Sequence, residues 1–437
     1  MTKEKKAIEW VKTVFIMLLS ASALILAWRT GLFSGLLNDI PFFGNVAGFV
    51  RNVSGPTEAS GVVLKEAARP LSIVITNEDG SRFGAKYDTD MRNAVYDRTS
   101  SILGEALGSA STPVIISEGE WREALSGPGV FFEYFNPVKL SVLDGWLGAR
   151  IPDNAEDVSL RHVFIAFGED KSRIYYQDSE RGLFFSADTA SASGKIQELE
   201  IYSGNGAMFA FETGVSNVES APYMLVMQDR YHPEVNAATA GSTGELLDIV
   251  IAAMGHSEEK YTTYNDSKGL LVCVGTQFNI NIDPGGRVFY RRTDNIPPDD
   301  TKQLQDMNVT IERARAIVAD TLGRTCGGAE VFFDSIEYSA DGSCTVFFGY
   351  YIAGGRVFLH EDNNAARIRF TSMMPPEIEL TFKNFSLTNE FSKLYPERQV
   401  LAAAGGEFLL SYSDTGPETL KPFWVRTVNN EQRTTNN

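Results

Sequence analysis

The sequence predicts an α+β protein: a single N-terminal transmembrane helix, then a multidomain ectodomain ending in two related units of antiparallel sheet plus helix. Three observations predict it. Residues 13–28, TVFIMLLSASALILAW, contain no charge, proline or glycine, and at roughly 1.5 Å per residue they span about 24 Å. Beyond residue 70, short apolar runs alternate with stretches of helical spacing. Towards the C-terminus, Gly285-Gly286-Arg287-Val288-Phe289-Tyr290 recurs as Gly354-Gly355-Arg356-Val357-Phe358-Leu359.

The apolar run reads as an uncleaved anchor. Lys3, Lys5, Lys6 and Lys12 precede it against Glu4 and Glu9, and Arg29 alone follows. The basic side stays in the cytoplasm, which places residues 1–12 inside, the span at 13–33 and the bulk of the chain outside. Ala21-Ser22-Ala23 resembles a leader cleavage site. LILAW continues directly after it, so cleavage there would expose an apolar N-terminus. Thr13, Ser20, Ala23 and Ala27 share one face at roughly 100° per residue, and small side chains allow close helix–helix approach in lipid. These four are the candidate partner-binding residues.

Residues 34–70 form the juxtamembrane linker. Their first part, rich in Phe, Gly and Leu, suits either the membrane interface or a packed connector. The first domain is expected over 71–155 as an α/β arrangement. LSIVITN (71–77) reads as a strand, and Tyr87, Met91, Val95, Ile102 and Ala106 mark a helix over 85–107. PVIIS (113–117) reads as a strand, and Ser117 with Glu120 fits a capping box opening a helix to Leu125. GVFFEYF (129–135) follows as a strand, then a short helix over 138–147. A central β-rich domain is expected over 156–235, where LRHVFIAFG, SRIYYQD and GLFFSAD form a meander.

The repeat defines two further units, 236–300 and 301–430, with 431–437 as a tail. Helices at 244–255 and 310–323 each precede an apolar strand, LLVCVG or CTVFFGYYI, and a glycine-turned hairpin. The Gly-Gly-Arg turn is read as a hairpin needing positive φ with a solvated arginine, in preference to an anion site.

Composition bounds the function. Of 437 residues, 43% are hydrophobic and 22% charged, and the net charge is −17. The first fifty residues carry five Lys/Arg and three Asp/Glu, a balance of +2, which leaves −19 on the rest. So acidic an exterior argues against nucleic acid as a partner. Cys273, Cys326 and Cys344 are no disulfide framework; Cys326 and Cys344 either pair or lie buried as thiols. The histidines, His162, His232, His256 and His360, are far apart, and no Walker loop, GxSxG elbow, SxxK or zinc motif occurs. SGNGAMFAF (203–211) lacks the spacing of a phosphate or dinucleotide loop, and the acidic pairs Glu198/Glu200 and Asp299/Asp300 suit any acidic surface. No catalytic, cofactor-binding or metal residue is nominated, and an enzyme is not expected.

The order of these pieces resembles the YycH family, and the C-terminal part also resembles its smaller relative YycI. The residues that carry the resemblance are VFFEYFNPVKLSVLDGWLG (130–148), RIYYQDSERGLFFSA (173–187), FFGYYIAGGRVF (347–358) and LKPFWVRT (420–427). The third departs from the family pattern, with Ala353, Gly355 and Arg356 replacing its asparagine and proline. The resemblance implies a non-enzymatic, membrane-anchored extracytoplasmic regulator of a sensor histidine kinase of WalK (YycG) type, which controls cell-wall metabolism. It implies the kinase and a YycI-like protein as partners, met largely through transmembrane helices. The alternative is a tethered envelope-binding or inhibitory module acting through its ectodomain alone.

Overall fold

The computed structural model describes residues 66–427 apart from short segments at 150–157, 169–170, 191–197, 217, 219–220, 229–230, 294–305, 360–363, 372–374, 405 and 415–418. The expected span at 13–33, with its Thr13, Ser20, Ala23 and Ala27 face, lies outside the described residues. Among the described residues, no helix is long and apolar enough to cross a membrane.

The first half of the described residues is built on one antiparallel sheet. A hairpin of β1 (Ser72–Thr76) and β2 (Arg82–Ala85) leads into helix α1 (Thr89–Gly108). The Asp88 carboxylate accepts from the Met91 N–H at 2.9 Å and caps that helix, which therefore starts four residues later than its apolar spacing predicts. Of the intervening residues, Ala85 ends β2 and Asp88 is the cap. Strand β3 (Val114–Ile116) and helix α2 (Glu118–Leu125) follow, and the capping box of Ser117 and Glu120 is present as expected. Next come β4 (Gly129–Lys139), helix α3 (Leu140–Leu147) and the meander β5 (Ser159–Ala166), β6 (Ser172–Asp178) and β7 (Leu183–Thr189).

The strand order is β2-β1-β4-β5-β6-β7-β3, with every neighbouring pair antiparallel. The alternating elements of residues 71–155 therefore do not build the parallel crossovers of an α/β domain. β4 pairs with β5, so the sheet is continuous across residue 155. Both its faces are covered. Ile73, Phe132, Val163 and Ile174 pack under α1 and α3, while Val74, Phe131 and Phe164 pack against Trp121 of α2. On that second face also lies a ribbon of β8 (Met208–Phe209) and β9 (Leu225–Val226). Burial on both faces is why β1 and β4 read as unbroken apolar runs.

The second half starts with β10 (Tyr231–Thr239) and helix α4 (Thr243–Met254), which opens on a capping box of Ser242 and Glu245 and closes at Gly255 with φ 78°. Strands β11 (Tyr261–Asn265), β12 (Leu271–Gly275), β13 (Phe278–Ile282) and β14 (Arg287–Arg292) form a meander. Helix α5 (Met307–Asp320) leads to β15 (Glu330–Tyr338), β16 (Cys344–Ile352), β17 (Gly355–Leu359), β18 (Ala366–Phe370) and β19 (Glu377–Thr381). The chain closes with β20 (Lys383–Lys393), helix α6 (Glu397–Ala404), β21 (Phe408–Asp414) and β22 (Pro422–Arg426).

The helix-then-hairpin order of both repeated stretches is present. Because β14 pairs with β19, their strands lie in one eleven-stranded sheet. Strand β16 forks it: β18 pairs along its first half, β17 along its end, and β15 along the opposite edge. β17 then pairs parallel with β21.

Both Gly-Gly-Arg turns are hairpins with positive φ at the glycine, 88° at Gly286 and 76° at Gly354. Ala353, at φ 47°, completes a two-residue turn of the primed type with Gly354. The arginine of the second turn is not solvated, however. Arg356 is 15% exposed and pairs with Asp334 at 2.9 Å. A Cβ at Gly354 would lie 2.6 Å from the Cα of Tyr87, so this turn docks the C-terminal sheet on the N-terminal one. Gly80 has a similar φ, 77°, with open space around it. Gly80→Ala should therefore cost about 1 kcal/mol of stability and Gly354→Ala about 3 kcal/mol or more. Equal shifts in denaturant midpoint for the two variants would show that the Tyr87 contact is not limiting.

Candidate functional site

The described cysteines and histidines are engaged in packing. Cys273, Cys326 and Cys344 are buried free thiols, which settles the open pairing of Cys326 with Cys344. Burial pushes all three up, Cys344 to about 11, away from the reactive thiolate. His256 bonds Glu259 at 2.6 Å and the Tyr290 hydroxyl at 2.9 Å. His162 stacks on Phe131 and bonds Gln177 at 3.3 Å. His232 sits edge-on to Tyr87 and Trp424. His360, Asp299 and Asp300 lie outside the described residues. Among the described residues no group of His, Cys, Asp or Glu is arranged to hold a metal ion. The glycine-rich stretch at 203–211 serves the packing of the first sheet, where Asn205 clamps the backbone of Gly84 through its amide, at 3.0 and 2.9 Å.

What the structure does assemble is a seam between the two sheets, crossed by buried charge pairs. Lys86, at the end of β2, donates to the Leu225 carbonyl at 2.9 Å and to Glu397 of α6 at 3.2 Å. The same Glu397 carboxylate accepts from the Met227 N–H at 2.6 Å. Burial pushes the Glu397 carboxyl up, and Lys86 and the Met227 N–H pull against it. Arg161 of β5 bonds Glu407 at 2.8 Å and reaches Glu133 of β4 at 3.5 Å. Burial acts to raise Glu133 too, but His162, then Arg161 and Lys86, outweigh it and hold the carboxyl at about 2. Arg92 of α1 pairs with Glu330 of β15, which also takes the Asn93 amide at 3.1 Å. Asn136 of β4 and Arg356 of β17 both donate to Asp334.

Beside these pairs lies a cleft of about 340 Å³. Its walls are Phe135, Trp146, Phe332, Phe333 and Tyr351, with Arg69, Arg92 and Arg315 among them and Cys326 alongside. The incoming residues Glu66, Ala67, Pro70 and Leu71 form one side. Ala68 and Leu71 are buried, and the Leu71 N–H donates to the Glu133 carbonyl at 2.7 Å. An open cleft of about 490 Å³ beside the β1–β2 turn carries Glu78, Asp79 and Glu200 but, among the described residues, no histidine, lysine or arginine to work with them.

A third feature is an exposed aromatic face on the β10–β20 ribbon. Tyr231 lies opposite Lys393, and Pro233 opposite Phe391, so all four share one face. Tyr231 is 61% exposed, Phe391 60% and the following Tyr395 74%. The other face of the same ribbon is wedded to the core through His232. Sequence reasoning nominates none of these seam, cleft or ribbon residues. The Phe-Phe and Tyr-Tyr doublets at 332–333 and 350–351 are a usable signal, because the two members of a strand doublet face opposite sides.

His232 provides the pH readout of the seam. Burial, then the charge of Lys86, lowers its pKa from 6.5 to about 4. Its neutral form is favoured in the fold, so the stability is fully present above pH 6.5 and is lost as pH falls towards 4. The loss should be on the order of 3 kcal/mol, followed by a further loss as Glu133 is protonated between pH 4.5 and about 2. His232→Phe keeps the ring packing and should flatten the first segment in equilibrium unfolding. An identical pH slope in variant and parent would remove His232 from this account.

No protein-family model matches the chain, and no curated protein matches it in sequence. An uncharacterised protein from Eubacterium rectale aligns over 46% of this chain and 80% of its own at 10% identity, with a TM-score of 0.28, too low to bear on the fold. YycH from Bacillus subtilis aligns over 84% of this chain and 95% of its own at 11% identity, with a TM-score of 0.54. So broad an overlap, at an identity too low to carry more than architecture, makes this a YycH-like fold.

Proposed function

We propose that the chain is a non-enzymatic, membrane-anchored extracytoplasmic regulator of a sensor histidine kinase of WalK/YycG type, working alongside a YycI-like accessory protein. The observation that carries the reading is the likeness in fold to YycH over most of both chains. The sequence adds an N-terminal apolar run with basic flanks and a short stretch before it. The buried thiols and partnered histidines support a role without covalent chemistry.

A regulator of this kind acts by contact. Its span packs through Thr13, Ser20, Ala23 and Ala27 against a partner helix and biases the kinase by binding one arrangement better than another. In the ectodomain, the ribbon face of Tyr231, Phe391 and Tyr395 is the surface best suited to a protein partner, since aromatic side chains give large contact area at low entropic cost.

The test is co-purification from membranes. Ser20→Leu with Ala23→Leu is expected to reduce recovery of the kinase at least about tenfold, the loss of roughly 1.4 kcal/mol of packing. Phe391→Ser with Tyr395→Ser should leave the kinase in place and weaken recovery of the accessory protein. Retention of both partners after residues 13–28 are exchanged for an unrelated apolar span would move the interaction to the ectodomain. Recovery of neither by the parent protein would favour the tethered envelope-binding module.

A further inference from the structure

Beyond that reading, and independent of it, the seam cleft has the construction of a ligand site. Its size, about 340 Å³, falls within the range of small-molecule pockets. Part of its surface is aromatic, with the ring of Phe135 4.4 Å from that of Phe332 and both edge-on to Tyr351. Rings so placed pack directly on one another and present one apolar wall to the cleft.

The polar groups of the cleft are unbalanced in one direction. Tyr351 is 4% exposed, and its hydroxyl has no hydrogen-bond partner among the described residues. The Nε–H of Arg69 is likewise buried without one. Both are donors, and a buried donor left unmet costs about 1–3 kcal/mol. The neighbouring carboxylate, Glu330, is already taken by Arg92, Asn93 and Arg69. The Arg92 guanidinium lies over the Tyr351 ring at 5.5 Å, so the ring's face is occupied and its hydroxyl end remains. Glu66 and Glu330, the carboxylates of the lining, face other nitrogens of Arg69 and leave its Nε–H and the Tyr351 hydroxyl unmet, and arginine best meets a planar, charged acceptor.

We propose that the cleft between Arg69, Arg315 and the rings of Phe135, Trp146, Phe332 and Tyr351 binds a small molecule bearing a carboxylate on an apolar body, of the size of an acylated amino acid. The carboxylate meets Arg69 and the Tyr351 hydroxyl, and the body lies in the cleft against the wall of rings. Both donor atoms are shielded from solvent. Binding therefore includes a shift of the Arg69 side chain, which is 25% exposed and held by long contacts of 3.3 Å to Glu66 and 3.5 Å to Glu330. The incoming segment forms one wall, so a bound carboxylate ties residues 66–71 to β16.

The experiment is calorimetric titration of the full chain in lipid nanodiscs with N-acetylphenylalanine, its amide and acetate. The acid should bind saturably, with the amide and acetate each at least about tenfold weaker, since one lacks the charge and the other the body. Tyr351→Phe removes a hydroxyl with no partner among the described residues, so its unfolding midpoint should be unchanged or raised while affinity for the acid falls at least about fivefold. Arg69→Gln should weaken the acid and leave the amide unaffected. Equal binding of acid and amide, unaltered affinity in Tyr351→Phe, or no saturable binding of the acid up to about 10 mM, the bottom of useful affinity, would each overturn the assignment.

Discussion

The pair of Lys86 and Glu397 is the constraint on which the arrangement of the two sheets depends. The side chains are 5% and 0% exposed, one from the residue that follows β2 and the other from the first residue of α6. A charge so buried is tolerated only with its partner in place, because the unpaired partner would carry a desolvation cost of several kcal/mol. Each end is also tied to backbone, Lys86 to the Leu225 carbonyl and Glu397 to the Met227 N–H. The β9 segment is thus held between the end of β2 and the start of α6. Such a pair does little for net stability against an apolar substitute. It does penalise every packing in which α6 sits elsewhere.

The other crossings extend the same logic along the seam. α5 contributes Ile311 to the core of the first sheet and Ala314 and Val318 to that of the second. β15 does likewise, with Phe333 and Ile336 packing against both. Apolar contact of this kind is strong but indifferent to register. Arg92 with Glu330, and Asn136 with Asp334, supply the register. The tip of the β16–β17 hairpin then fits against Tyr87 only because Gly354 has no side chain.

Local chemistry is legible in the sequence where one short stretch decides the outcome. Ser117 and Glu120 announce α2, and Gly255 announces the end of α4. The doubled Gly-Gly-Arg announces two hairpins, each with its glycine at positive φ. What the sequence conceals depends on partners far away in the chain. β10 pairs with β20 across some 150 residues, a separation no periodicity records. β1 and β4 are antiparallel neighbours although α1, β3 and α2 lie between them, a pairing that the alternation of elements over residues 71–155 does not specify. Arg356 reads as solvated because an arginine after a tight turn usually is; Asp334 and Phe135 reach it from other strands. The cleft is invisible for the same reason, since its walls come from β4, α3, α5, β15 and β16.

A regulator of the proposed kind influences its partner by binding the partner's states unequally. The seam limits how that inequality arises. Its buried charges are satisfied together, so prising the sheets apart would strand several at once, and the described unit should behave as a rigid block. The adjustable parts are then at its margins. One is the exposed ribbon of Tyr231 and Phe391, which can meet a partner without disturbing the core. The other is the wall formed by residues 66–71, where Arg69 is loosely held beside an aromatic cleft with unmet donors. A ligand seated there would tie that wall more firmly to β16 without altering the fold behind it.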